Sequence, residues 1–108
     1  MIRKIFIPFA AILFFSACGE NPSKNEKTTL SIEEQSKKLY IDNCVVCHGD
    51  DGKRQLANAS DLSITKLNNN QLKEVIKNGR KSMPPYKSVF SDEELDLLTN
   101  YIVTNIKE

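Results

Sequence analysis

The chain has 108 residues, enough for one domain, and its formal charge of +1 at pH 7 is almost balanced, with Lys+Arg 15 against Asp+Glu 14. There is no basic excess to neutralise a phosphate backbone, so nucleic-acid binding has no electrostatic footprint here. Cys 3, His 1 and Met 2 make a short inventory of soft ligands, and the placement of each one therefore counts.

Arg3 and Lys4, the apolar run 5–15, and the small residues Ser16 and Ala17 ahead of Cys18 predict a secretory signal over 1–17. The run is too short to cross a bilayer comfortably. Phe15-Ser16-Ala17-Cys18 resembles a lipobox, good in its last three positions and loose at Phe15, where Leu is usual. It implies lipidation of Cys18 and a membrane-anchored lipoprotein of the cell envelope, periplasmic or otherwise extracytoplasmic. The plainer readings are an uncleaved anchor, or a soluble secreted protein cut near Ala17. Loss of Arg3 and Lys4 leaves thirteen basic against fourteen acidic side chains. Residues 18–30 read as the lipidated cysteine and a flexible linker, because 19–29 is polar, contains Pro22 and has no large apolar side chain to bury.

From 31 to 108 the pattern is helical, with no sustained strand alternation and no internal repeat. Ser31 followed by Glu34 is a capping box that opens a helix running through Leu39 and Tyr40 toward Asn43. A second helix is expected from about Asn69 through Leu72, Val75 and Ile76, stopped at Asn78-Gly79. The last begins with a second capping box, Ser91 with Glu94, and Phe90 before the cap is placed to staple onto Leu95. Leu95, Leu98, Ile102 and Ile106 then share one stripe, with Leu97 and Tyr101 beside it. The expected fold is all-α, with a core too thin to stand without a covalent or metal staple.

Cys44-Val45-Val46-Cys47-His48 is the most informative stretch. Two cysteines three apart lie about one helical turn from each other, so both sulfurs can add to the two vinyl groups along one porphyrin edge, and the adjacent imidazole can bind the iron. Rival readings run short of residues. A structural zinc site needs four ligands, and Cys44, Cys47, His48 and the acylated Cys18 are all the chain has to offer. A redox dithiol would want a strand and a parallel sheet around it. A disulfide leaves His48 without a role. The reading is one covalent haem c held by Cys44, Cys47 and His48.

A second iron ligand follows by elimination. Met83 is the one methionine besides the initiator and His48 the one histidine, so a six-coordinate iron would be His/Met. Met83 sits in the loop Gly79-Arg80-Lys81-Ser82-Met83-Pro84-Pro85, where the prolines restrict the backbone. A thioether is a soft donor that favours reduced iron. The plainer reading makes Met83 a gap-filler of the core.

On these residues the chain resembles the class I cytochrome c family over nearly all of 31–108: Leu39-Tyr40, the attachment motif extended by Gly49-Asp50-Asp51-Gly52-Lys53, Asn78-Gly79, Met83-Pro84-Pro85-Tyr86 and the final Leu98-Thr99-Asn100-Tyr101 helix. The resemblance implies three main helices wrapped around one haem, the first and last crossing through Tyr40, Leu97 and Tyr101. It also implies a carbonyl that orients the proximal imidazole. Family members usually place a proline before an Asp-Leu pair at that point; here Ser60 precedes Asp61-Leu62, so the acceptor is Ser60 or a neighbour.

The function expected is single-electron transfer between redox partners at the cell envelope, without enzymatic activity of its own. The alternatives are a haem-bearing subunit of a membrane oxidase or dehydrogenase and, ranked below both, a ligand-binding sensor or peroxidase-like centre with Met83 displaced. Lys73, Lys77, Arg80, Lys81 and Lys87, with Glu74 as the one acid among them, suggest a positive collar for an acidic partner, or simply a solubilising helix face.

Overall fold

The computed structural model describes residues 30–108; the signal segment, Cys18 and the linker up to Thr29 lie outside the described residues. Four helices follow in order: α1 (Ile32–Asn43), the short α2 (Val45–His48), α3 (Asn69–Asn78) and α4 (Asp92–Tyr101). Among the described residues there is no strand, only an isolated bridge between Arg80 and Met83.

Each long helix begins with a reciprocal cap. Ser31 accepts from the Glu34 amide while Glu34 reaches back to the Ser31 amide, and Ser91 and Glu94 repeat the arrangement. Asn68 and Gln71 form a third such pair at the start of α3. Two backbone N–H groups that the first turn would leave unpaired are thus satisfied at every start, which fixes where each helix begins.

α4 packs against both α1 and α3. Its stripe Leu95, Leu98, Ile102 and Ile106 is buried, together with Phe90, Tyr40, Leu62, Leu72 and Ile76. Each such side chain withdrawn from water contributes roughly 1.5–3 kcal/mol. The first and last helices meet through Tyr40 and Tyr101, whose rings lie 5.4 Å apart at 41°, within the range where tilted aromatic pairs attract. Tyr40 is fully buried, and its hydroxyl donates to the Gly49 carbonyl at 2.7 Å. That bond fastens α1 to the turn that follows α2. Burial pushes the Tyr40 phenol above its ordinary range.

The helical stripe of α4 continues past Tyr101, but the backbone widens: Ile102–Ile106 is a π turn, closed by the Lys107 amide donating to Ile102 at 2.9 Å. The widening seats Ile106 against Gly52. A Cβ on Gly52 would lie 2.4 Å from the Ile106 side chain and 3.0 Å from that of Leu62, so only glycine fits there.

Candidate haem site

Cys44, Cys47, His48 and Met83 all line one cleft with about 1060 Å³ of free space, counting the part open to solvent. Its inner wall comes from Leu62, Leu72, Ile76, Phe90 and Ile102, all members of the core. One apolar cleft therefore receives two thiols, an imidazole and a thioether from segments up to 39 positions apart in sequence.

The thiol-bearing turn is built by α2. Cys44 caps both helices: its amide donates to Tyr40 at 2.8 Å, and its carbonyl accepts from His48 at 2.9 Å and from Cys47 at 3.2 Å. The two sulfurs form no disulfide with each other. Burial, with Cys47 beside it as the smaller cause, pushes the Cys44 thiol up to about 12. A thiol buried in apolar surroundings is not activated as a redox dithiol would be, and among the described residues no strand or sheet surrounds the pair.

His48 is 8 % exposed. Its Nδ1 lies 2.9 Å from the Ser60 carbonyl oxygen. A carbonyl only accepts, so Nδ1 carries a proton, and in the neutral ring Nε2 is the nitrogen left with a free lone pair for a metal. The acceptor expected at Ser60 or a neighbour is Ser60 itself.

Met83 reaches the cleft on a tight loop. The Arg80 and Met83 backbones exchange hydrogen bonds at 3.2 and 3.0 Å, and Lys81 sits at φ 55 between them. Gly79, at φ 72, ends α3 under this loop; a Cβ there would lie 2.7 Å from the Met83 carbonyl oxygen and 2.9 Å from the Pro85 nitrogen. The far side of the loop is tied to α3 by the Tyr86 amide donating to Ile76 at 3.0 Å and the Lys87 amide donating to Lys77 at 3.1 Å. Tyr86 stacks on Phe90 at 5.2 Å and 9°, and its hydroxyl donates to Asn43 at 3.3 Å.

Opposite the Met83 loop, the rim carries Leu56, Ala57 and Asn58. Gln55, Ala57 and Asn58 have φ of 53, 52 and 61, three left-handed residues without a glycine among them. Each such residue costs on the order of 1 kcal/mol or more. The Ser82 hydroxyl donates to the Ala57 carbonyl at 2.9 Å, joining the two rims. Nothing in the composition of this segment signalled its conformation.

The five expected cations divide. Lys73 pairs with Asp96 at 2.7 Å and with Asp92 at 4.0 Å, and Lys77 pairs with Asp92 at 3.3 Å. Both thus bind α3 to the start of α4. Arg80, Lys81 and Lys87 stay exposed around the Met83 loop, Arg80 and Lys81 lining the cleft itself.

A cleft of this shape and donor set fits a porphyrin gripped at one edge by two sulfurs, and the relatives agree. Residues 33–102 match the family model described as cytochrome C oxidase, cbb3-type, subunit III. Cytochrome c-551 of Bacillus subtilis (strain 168) is 31 % identical over 107 residues, covering 91 % of this chain and 90 % of that one. Among solved structures, KustC0563 c-type cytochrome superposes with a TM-score of 0.60 at 27 % identity, covering 68 % of this chain and 98 % of its own. Cytochrome c6C from Synechococcus sp. PCC 7002 has the same fold, with a TM-score of 0.60 at 16 % identity, covering 68 % of this chain and 95 % of its own.

Proposed function

The chain belongs to the class I cytochrome c family, as a small monohaem domain, and from that premise we propose that it carries single electrons between protein partners at the cell envelope, with His48 and Met83 as the axial ligands of its haem. Members of this family bind one covalently attached haem c and transfer electrons without catalysing a reaction of their own. Cys44 and Cys47 are the attachment sites in this reading, and the bound group supplies an iron that alternates between two oxidation states.

The observation that carries the ligand assignment is the occupied Nδ1 of His48. A histidine whose Nδ1–H is held by the Ser60 carbonyl at 2.9 Å presents Nε2 in a fixed tautomer and orientation. Met83 lines the same cleft. The apolar wall of Leu62, Leu72, Ile76, Phe90 and Ile102 would give a bound haem a low-polarity surface on its inner side, which limits the solvent reorganisation that accompanies a change of charge. Carbon monoxide added to the reduced protein tests the pair: a thioether held on the iron resists displacement, whereas an open site, the sensor or peroxidase reading, binds the gas at once.

Arg80, Lys81 and Lys87 around the Met83 loop favour an acidic partner. Such an encounter slows as ionic strength rises. The match to the subunit of a cbb3-type oxidase favours a second reading, a carrier resident in a membrane complex; co-purification from solubilised membranes separates it from a free carrier. Cytochromes of this type are generally extracytoplasmic, and the lipobox-like Phe15-Ser16-Ala17-Cys18 supports a lipid anchor on Cys18. Cys18→Ser is expected to abolish lipid labelling.

A further inference from the structure

The Ser60 carbonyl has no rigid residue behind it. A serine leaves φ free, and among the described residues the Ser60 amide makes no hydrogen bond that would fix it. The rigidity comes from the two residues beyond Asp61. Ser63 is 1 % exposed, a buried hydroxyl next to the apolar packing of Leu62. Its hydroxyl donates to Asp61 Oδ1 at 2.6 Å, and its amide donates to the same oxygen at 2.9 Å. Leu62 between them donates to the Gly52 carbonyl at 2.9 Å, and the Ser63 carbonyl accepts from the Glu108 amide at 2.9 Å. Glu108 is in turn paired with Lys53. Every residue from Asp61 to Ser63 is thus pinned, and the carbonyl that faces His48 precedes the first of them.

We propose that Ser63, acting through Asp61, is a positioning residue that sets the strength of the hydrogen bond from His48 to Ser60 and thereby the reduction potential. Neither Asp61 nor Ser63 lines the cleft, so neither touches the bound group, and the uncharged Ser63 reaches it through the Asp61 turn and the Ser60 backbone. A well-aligned acceptor on Nδ1–H makes the imidazole more basic, and a more basic ligand favours the oxidised iron. Loosening the turn therefore raises the potential. The inference rests on His48 as an iron ligand.

The test compares variants of the matured haem protein by potential and by hydrogen exchange of the His48 ring N–H in the reduced state. Ser63→Ala is expected to shift the equilibrium toward reduced iron roughly threefold, about 30 mV at 59 mV per tenfold for one electron, and to speed ring N–H exchange. Ser60→Pro in that background is expected to restore both. The preceding residue allows it, because Ala59 at φ −58, ψ 141 already has the extended conformation that a following proline demands, and no Ser60 amide hydrogen bond is lost. Asp61→Ala is a second arm on a half-exposed side chain, read by exchange because its lost charge moves the potential by itself. It should exchange fast, whereas Asp61→Asn, which keeps an acceptor oxygen for Ser63, should exchange at the native rate. Native potential and exchange in Ser63→Ala, or failure of Ser60→Pro to restore them, would overturn the proposal. A visible spectrum without low-spin haem in the parent protein would instead sink the ligand assignment.

Discussion

The two sides of the cleft are built on different plans. On the side of His48, the imidazole sits on a helix, is buried, and has its ring nitrogen held by a carbonyl whose turn is pinned by Asp61, Ser63, Gly52 and Glu108. On the side of Met83, the thioether rides on an exposed loop shaped by Gly79 and a left-handed Lys81, and the Ser82 hydroxyl links that loop to the Ala57 rim. Backbone hydrogen bonds open to solvent and sparse burial mark the low-stability end of a structure. The imidazole is fixed by the fold, whereas the thioether is fixed by a loop, so under the proposed ligation perturbations should reach the iron first from the Met83 side.

Removing the distal donor breaks this asymmetry most. Met83→Ala is expected to keep its covalent haem and its His48 ligation, to bind carbon monoxide readily, and to lose on the order of 0.1 V of potential, a fraction of the roughly 0.8 V that axial ligands span. Optical titration with carbon monoxide and potentiometry check it. Gly79→Ala comes next, because it leaves Met83 in place and distorts its support. A side chain at φ 72 costs roughly 1–3 kcal/mol, and here it also collides with the Met83 carbonyl. A weakened far-red sulfur-to-iron band at native helix content is the expected spectrum.

Ser82→Ala should have the smallest effect and draws the comparison most sharply. Loss of one exposed hydrogen bond, about 0.5–1 kcal/mol, should raise imidazole affinity of the oxidised protein roughly two- to fivefold. Exchange of the His48 ring N–H should not change. Equal disturbance of both ligands by Ser82→Ala would show that the two sides are not independent.

How much of this was written in the sequence depends on the range of the interaction. The starts of α1 and α4 were legible because Ser31 with Glu34 and Ser91 with Glu94 lie three residues apart and satisfy local amides. The same rule reads Asn68 with Gln71, a pair concealed only by its amide side chains. The attachment turn was legible because Cys44, Cys47 and His48 are local. The Ser60 acceptor was narrowed but not settled, since every residue carries a carbonyl and only the fold chooses one. Lys73 and Lys77 read as free cations because their partners, Asp92 and Asp96, lie across an interhelical contact. The π turn at Ile102–Ile106 was hidden because the apolar stripe runs on unbroken through it, and the close approach of Ile106 to Gly52 on the facing loop is a tertiary contact.

The most direct test of the central claim is the visible spectrum of the matured protein, taken reduced and oxidised and repeated after extraction with acidified organic solvent. The colour is expected to stay with the polypeptide, with a reduced low-spin haem c spectrum and a far-red sulfur-to-iron band when oxidised that disappears in Met83→Ala. Colour that passes into the solvent would contradict attachment through Cys44 and Cys47, and a far-red band that survives Met83→Ala would contradict the distal assignment.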